Sequence, residues 1–157
     1  MKLYTARTID FSAVTLHFGF TNAFFSVVNG NRCHTKQSLF DEWHAALRMY
    51  DNPDKNWDAF DDSLNQMFDS LETTEIVILV TSADSILEDL PPDERPRQVK
   101  ILLDTLSRTT GEGMFVNEPD RLDLERAGVF LIADHGRAAQ LDHLIQSTGV
   151  VVPEFTR

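Results

Sequence analysis

The sequence predicts an α/β fold, in which a small, mainly parallel β-sheet is flanked by helices and extended by extra N- and C-terminal segments. The stretches EIVILVTS (75–82) and GVFLIAD (128–134) are short and apolar at consecutive positions, which is typical of strands buried on both faces of a parallel sheet. Segments with the apolar period of a helix alternate with these strands. With 157 residues, 42% of them hydrophobic, the chain has the size of one ordinary domain. We therefore expect residues 1–157 to form a single domain.

Two strands are expected within residues 11–28, FSAVTLHFGFTNAFFSVV, with a break near 19–22, because a partly alternating pattern gives way to a continuous apolar run. The next residues, NGNR (29–32), indicate a turn, since Asn and Gly tolerate positive φ. A helix follows and ends near Tyr50, where DNPD supplies turn-forming residues. Its apolar face comprises Leu39, Phe40, Trp43, Ala46 and Leu47.

A second helix is expected from about Lys55 to Leu71, and its two faces differ in character. At 100° per residue, one side carries Trp57, Phe60, Leu64, Met67, Phe68 and Leu71. The other side carries Asp54, Asp58, Asp62, Asn65 and Asp69, with Asp61 on the flank between them. This helix is therefore expected to pack through its apolar side and to present a stripe of carboxylates on the other.

The second half of the chain continues the alternation of strands and helices. After the strand at 75–82, LPPDERPR leads into a helix near 94–108 that packs through Val99, Leu102, Leu103 and Leu106. A short helix is expected at 122–126, a buried strand at 128–134 and a last helix at 137–146. GVVVPEF then indicates an edge strand, since Pro153 would interrupt a central one.

Charge and composition exclude several functional classes. The net charge of −11 argues against binding to nucleic acid or to anionic membrane surfaces. No apolar run approaches the roughly 20 residues that span a bilayer, and the N-terminus lacks the apolar core of a signal peptide, so we expect a soluble, cytoplasmic protein. Cys33 is the single cysteine, which excludes an internal disulfide and a Cys-based zinc site. The sequence does not specify an oligomeric state.

The stretch KNWDAFDDSL (55–64) concentrates acids and admits three interpretations: a solvated helix face, a metal or acid–base site, or a surface for a basic partner. Eight acids face one base, Lys55, between Asp51 and Glu75, although like charges one turn apart destabilise a helix. Catalysis needs a concave site, and no nucleophile or phosphate-binding loop accompanies the acids; GEG (111–113) lacks the Lys and Ser/Thr of such a loop. We predict no catalytic residues and no cofactor, and charge alone favours a solvated face.

The histidines and the cysteine offer weaker alternatives. DHGRAAQLDH (134–143) places Asp134–His135 eight residues before Asp142–His143, about two turns if helical. Surface or packing roles are commoner for such histidines than metal ligation, so no metal site is predicted. Cys33 follows a turn and is expected to be a small buried hydrophobe rather than a nucleophile.

Two stretches resemble the barstar family of ribonuclease inhibitors: VVNGNRCHTKQSLFDEWHAAL (27–47) and KNWDAFDDSL (55–64). Asn29–Gly30 match the family's turn after its first strand. Residues 56–62 match the Asn-Trp/Leu-Asp-Ala-Leu-acidic-Asp motif that opens the inhibitory helix. The resemblance covers about 23–134 and leaves 1–22, 111–127 and 135–157 without a counterpart.

The resemblance implies a small parallel sheet flanked by helices, and a protein that plugs the active site of a basic ribonuclease with carboxylates in place of RNA phosphates. The partner would thus be a basic nuclease of the ribonuclease-toxin type, and the protein its bacterial immunity protein or antitoxin. By motif position Asp58 and Asp62 are the central carboxylates. The expected partner-binding residues are Asp58, Asp62, Asp61, Asp54, Asn56 and Tyr50.

The chain also departs from the family pattern. Asn52–Pro53–Asp54 stand where an aromatic pair and a Gly usually precede the motif, with Tyr50 the nearest substitute for one aromatic. Asp104 is the nearest candidate for a further acidic contact. Two alternatives therefore stay open: a barstar-fold interaction or regulatory protein without a nuclease target, and a metal-dependent hydrolase using the Asp cluster.

Overall fold

The computed structural model describes residues 2–6, 23–50, 54–73, 75–109 and 127–155. Within these ranges it contains four strands: β1 Lys2–Ala6, β2 Phe24–Asn29, β3 Ile76–Thr81 and β4 Ala127–Ile132. The helices are α1 Lys36–Leu47, α2 Trp57–Asp69, α3 Arg95–Arg108 and α4 Ala138–Thr148. Two 3-10 turns, Gly30–Arg32 and Ala83–Ser85, follow β2 and β3. The helix expected at 122–126 falls outside the described residues.

The strands form one four-stranded sheet in the order β1-β4-β3-β2, and every neighbouring pair is parallel. The predicted α/β class with a mainly parallel sheet is therefore confirmed. The two central strands are the two continuous apolar stretches of the sequence, as expected for strands that other elements cover on both faces. Ile76 and Ile78 of β3 and Val129 of β4 are completely buried.

The strand predictions hold in part. β2 is the second of the two strands expected in 11–28, and the first falls outside the described residues. β1 was missed: KLYTA pairs with β4 from Lys2↔Gly128 to Ala6↔Ile132. The closing GVVVPEF segment is not an edge strand; it makes one isolated bridge, Thr5↔Glu154. Proline has no N–H to donate, and the carbonyl of Pro153 accepts from Thr5 N at 2.9 Å instead.

The NGNR segment turns as predicted but for a different physical reason. Asn29 caps the 3-10 turn by accepting from Asn31 N, and Gly30 does not have positive φ. A Cβ at Gly30 would lie 2.7 Å from the carbonyl oxygen of Thr81 and closer still to that of Ser82. Glycine is required here because the backbone after β2 passes directly against the end of β3.

The main hydrophobic core lies on one face of the sheet and takes residues from all four helices, including Trp43, Phe60, Leu103 and Leu144. Val77 and Phe130 point to the opposite face and form a smaller cluster with Tyr4, Phe155 and neighbouring apolar residues. α1 ends at Leu47, three residues before the expected Tyr50, because Arg48 adopts a left-handed conformation with φ of 53°. The framework thus presents the start of α2 beside the middle of α1, where Phe40 and Asp41 lie.

Candidate protein-binding site

The candidate site is built on α2, whose first residue is fixed by a side-chain cap. Asn56 Oδ1 accepts a hydrogen bond from Ala59 N at 2.9 Å, which satisfies one of the free N–H groups at a helix start. Asp58 lies in the first turn, where the helix dipole favours negative charge. The motif therefore specifies where the helix begins as well as which charges it carries.

The inward face of α2 is anchored by aromatic packing against α1. Phe60 is 1% exposed, and its ring centroid lies 5.5 Å from that of Phe40 and 5.8 Å from that of Trp43. Trp57 packs edge-on against Phe40 at 5.1 Å, and its Nε1 donates to Gln98 Oε1 of α3 at 2.8 Å. α2 is therefore held from two sides, and its outward residues have a fixed orientation.

The outward face of α2 carries two exposed carboxylates near its start, Asp58 and Asp62, which we call the acidic face, and a third exposed carboxylate, Asp69, at its end. None of them forms an ion pair with any residue that the structure describes. Asp58 and Asp62 are one turn apart, so they project from the same side of the helix. The predicted division of α2 into an apolar face and an acidic face is confirmed for Asp58, Asp62 and Asp69, whereas Asp54 lies in the loop before the helix.

Asp61 lies on the flank of the acidic face and is half-buried. Its carbonyl accepts from Asn65 Nδ2 at 2.9 Å. Burial raises the pKa of the Asp61 carboxyl above its ordinary value; Arg108 opposes this shift, and Asp62 adds to it. The structure thus keeps a carboxylate in a partly desolvated position, where the charge of Arg108 and a hydrogen bond from Asn65 oppose the rise in its pKa.

The one base of the 51–75 stretch is directed away from the acidic face. Lys55 Nζ donates to Asp41 Oδ1 of α1, and this hydrogen bond, with a second from Gln37, holds the pKa of Asp41 below its ordinary value. Asp54 and Asn56 line a small cleft of about 70 Å³ together with Lys55, His44, Asp41 and two phenylalanines of the core. Lys55 therefore ties the loop before α2 to α1 and leaves Asp58 and Asp62 uncompensated.

The remaining predicted residues have distinct environments. Tyr50 is 65% exposed just after α1, and Asp54 is exposed in the loop before α2. Asp104 lies on α3 and pairs with Lys100 at 2.5 Å, so its charge is already matched. The Lys55–Asp41 and Trp57–Gln98 contacts, which orient the site, had no signal in the sequence because each joins separate elements.

The alternative catalytic and metal sites gain no geometric support. Asp134 accepts a hydrogen bond from Ser82 Oγ at 2.6 Å, while His135 is exposed. In the part of the chain that the structure describes, no three His, Cys, Asp or Glu residues are grouped as a metal site would require. Cys33 is fully buried, as predicted, and burial, with a smaller effect of Glu42, raises the pKa of its thiol to about 12, which makes it a poor nucleophile.

Across the described ranges, no helix has both the length and the hydrophobicity needed to cross a membrane.

None of the curated proteins compared with the chain matches it. Two chains from structures of Drosophila ORC, one bound to AT-rich DNA and Cdc6 and one to GC-rich DNA and Cdc6, are similar to it at 13% identity, with TM-scores of 0.45 and 0.46. The alignments cover 100% of this chain but 51% and 52% of those chains, so this chain spans about half their length. At these TM-scores the likeness does not establish a shared fold.

A family model gives the informative comparison. The family described as Barstar (barnase inhibitor) matches residues 23–117, a range that includes β2, α1, α2, β3 and α3. The match ends before the position 134 at which the sequence resemblance was expected to end, and it leaves β1, β4 and α4 outside. The description is that of an inhibitor and not of an enzyme. Since the match covers more than half of the chain and contains the acidic helix, this protein belongs to the barstar family.

Proposed function

We propose that the chain is a cytoplasmic inhibitor, acting as an immunity protein, that binds a basic nuclease of the ribonuclease type and blocks its active site with the acidic face. The observation that carries this proposal is the pair Asp58 and Asp62. Both are exposed and without an ion pair among the described residues, on a helix whose opposite side is fixed by buried aromatics. Uncompensated charges on a rigid support favour a binding role over a merely solvated surface.

Electrostatics gives the mechanism of this inhibition. A nuclease cleft recognises phosphates with Arg, Lys and His, and carboxylates in the same positions would form charge-assisted hydrogen bonds with these groups. The net charge of −11 would also accelerate encounter with a basic partner. Barnase and barstar are themselves the standard example of such steering, so the family's behaviour and this electrostatic mechanism are not independent lines of support.

The residues around the central pair would have different roles. Asp61 would add a flanking carboxylate whose partial desolvation is relieved by a cation of the partner. Asn56 uses its Oδ1 in the helix cap, so its Nδ2 group would donate to the partner. Tyr50 and Asp54 are exposed before α2 and would contact the rim of the cleft. Asp58 and Asp62 would therefore dominate the affinity, and the other four residues would tune it.

The test is charge reversal with a matched control on the same helix. The chain is co-purified with the product of the neighbouring gene, and its affinity for that product, expected to be a basic nuclease, is measured by calorimetry. Asp58→Lys with Asp62→Lys should weaken binding by about 100-fold or more, as for charge pairs lost from an interface core. Asp69→Lys with Glu72→Lys changes the net charge equally, at the last residue of α2 and just beyond it, and should affect only the long-range attraction.

The dependence of affinity on ionic strength distinguishes direct contacts of Asp58 and Asp62 from long-range attraction by the net charge. Affinity should fall with rising ionic strength for the natural chain and for the Asp69/Glu72 control, since exposed charges are screened. If the Asp58/Asp62 variant binds the nuclease as tightly as the natural chain, or if both variants lose affinity equally, the acidic face is not the interface.

A further inference from the structure

The sheet ends in two outer strands, β1 and β2, and the closing segment of the chain covers the edge of β1. Thr5 N donates to the carbonyl of Pro153 at 2.9 Å, and Phe155 N donates to the carbonyl of Thr5 at 2.7 Å. Lys2, at the start of β1, adds an exposed charge to the same edge. Covering segments and charged residues are the usual means by which proteins keep a sheet edge from pairing with another chain.

The edge of β2 has little of this protection. Its sequence, FFSVVN, contains no charged residue and no proline, although 25% of the chain is charged. Phe24 N donates to the carbonyl of Glu75, on the β3 side, at 2.8 Å, so the N–H and C=O groups of Val27 and Asn29 point away from β3. Asn29 N is engaged by Glu42 Oε1 at 3.0 Å. The backbone groups of Val27 have no partner among the residues that the structure describes.

The side chains along this edge are apolar and exposed on one face of the sheet. Phe25 is 41% exposed and Val27 is 45% exposed. Both point to the face opposite the main core, because Ser26 and Val28, which alternate with them, are buried on the core side. Leu79 of β3, the partner of Val27 in the sheet, is half-buried beside them. The edge therefore combines outward backbone groups with an exposed apolar strip.

We propose that β2 pairs in antiparallel orientation with β2 of a second copy of this chain, which joins the two sheets into one of eight strands. With a two-fold axis at Val27, the N–H of Val27 in each copy donates to the carbonyl of the same residue in the other. The two Val27 side chains then lie directly opposite, and each Phe25 ring lies diagonally across from a Val27, within reach of an aromatic side chain. This surface is separate from the acidic face, and the proposal does not depend on the proposed function.

A second copy fits this edge better than a charged partner. Pairing about a two-fold axis places the same surface on both sides, and an uncharged apolar strand complements itself. A charged partner would be attracted by opposite charge, and β2 offers none. The acid closest to the strand, Glu42, is paired with Arg32 at 3.6 Å, so pairing brings no uncompensated like charges of the strand together.

We expect the association to be weak and to strengthen with salt. The contact is small, as in transient complexes, so the dissociation constant should be on the order of 10 μM. Each copy has a net charge of −11, and the two copies repel one another at long range. Raising the ionic strength screens this repulsion, so dimerisation should respond to salt in the opposite sense to binding of a basic nuclease.

Sedimentation velocity of the full-length chain measures the association. Between about 1 and about 200 μM the natural chain should pass from monomer to dimer, and the dimer fraction should be larger at about 500 mM than at about 50 mM salt. Val27→Lys places like charges opposite each other at the edge and should weaken dimerisation by about 10-fold or more. Val151→Lys makes the same change in charge at a side chain that is 92% exposed outside the strands, and should alter dimerisation by less than about 2-fold.

A cysteine at residue 27 tests the position of the two-fold axis. Directly opposite residues of a hydrogen-bonded antiparallel pair have Cα atoms about 5.5 Å apart, a separation that a disulfide can span. Val27→Cys should therefore form a covalent dimer under mild oxidation, and the natural thiol of Cys33 does not compete because it is fully buried. Val151→Cys should cross-link at least about 10-fold more slowly, since only random encounters bring its thiols together.

Three results would each overturn the proposal. The first is a natural chain that stays monomeric at the highest concentration and salt. The second is an equal loss of dimer in the two lysine variants, and the third is equal cross-linking of the two cysteine variants despite the different positions of Val27 and Val151.

Discussion

At the scale of single residues, Gly30 shows how a position can be fixed by space rather than by backbone angle. Its neighbours across the gap are the backbone carbonyls of Thr81 and Ser82, which cannot rotate aside as a flexible side chain could. Asn31 Nδ2 also donates to Ser82 Oγ at 3.0 Å, which ties the two 3-10 turns together. A side chain at residue 30 would therefore separate the ends of β2 and β3.

Gly30→Ala should lower the free energy of unfolding by about 2 kcal/mol or more, because a methyl group would overpack a site bounded by backbone. Urea unfolding of the full-length chain measures the change. Gly136→Ala is the control: Gly136 has a φ of +82° and open space around it, so the cost should be only the left-handed backbone penalty, about 1 kcal/mol. Equal costs at the two positions would contradict the steric explanation for Gly30.

Asp61 should make the free protein less stable as pH rises. The pKa of Asp61 is raised in the folded chain, chiefly by burial. Between the ordinary pKa and the raised pKa, the unfolded chain therefore binds fewer protons than the folded chain. The free energy of unfolding falls as pH rises through that window. Asp61→Asn removes this loss and should raise the free energy of unfolding at pH 7 by less than about 1 kcal/mol. Below the ordinary pKa of 3.8, the two proteins should converge.

The control for this prediction is Asp62→Asn at an exposed position of the same turn. Removing the charge of Asp62 relieves only like-charge repulsion along the helix, which should raise the free energy of unfolding by about 0.2–0.5 kcal/mol. Urea unfolding at pH 7 and pH 3 distinguishes the two residues. An Asp61→Asn variant that is less stable than the natural chain at pH 7 would show that electrostatic attraction to Arg108 outweighs the cost of burying Asp61.

At the scale of elements, the sequence predicted α2 well because a helix face depends on nearby residues only. The spacing of Phe60, Leu64 and Met67 indicated the buried side, and the acids between them indicated the other. β1 was not predicted, since the five residues KLYTA acquire their pairing from β4 at the other end of the chain. The arrangement of Leu90, in the loop before α3, and Leu144 of α4 in one apolar groove was equally inaccessible, because no local pattern brings these two residues together.

Asn56 combines two roles at the start of α2 that a pair of substitutions can separate. Asn56→Ala removes the cap to Ala59 N and should cost about 1 kcal/mol of stability. Asn56→Asp keeps a capping oxygen and adds a charge that the helix dipole favours, so it should preserve stability. If Asn56 also donates to the nuclease through Nδ2, the Asp variant should be stable and still bind more weakly in calorimetry. Unchanged affinity of the Asp variant would leave capping as its sole role.

At the scale of the whole molecule, the segment outside the family match completes the fold. β4 lies between β1 and β3 in the sheet, so the matched region alone has an unpaired edge at β3. Asp84 provides a second link: its buried carboxylate accepts from Asp134 N at 2.8 Å and from Arg137 Nε at 2.8 Å. The end of β3 and the start of α4 are thereby joined through one carboxylate.

Arg137→Met should therefore destabilise the whole chain. Its loss removes the ion pair of the Asp84 carboxylate, which is 0% exposed in its side chain, although the charge of Arg95 still acts on that carboxylate. Arg137 is itself 36% exposed, so solvent would compensate in part, and we expect a loss of about 2–3 kcal/mol in the free energy of unfolding. Arg97→Met removes an exposed arginine of α3 that pairs with no acid among the described residues and should cost less than about 0.5 kcal/mol.

Adding Asp84→Asn to Arg137→Met should restore part of the loss, because the buried charge is then gone. If the losses of the two single variants simply add in the double variant, the two residues do not act as a pair.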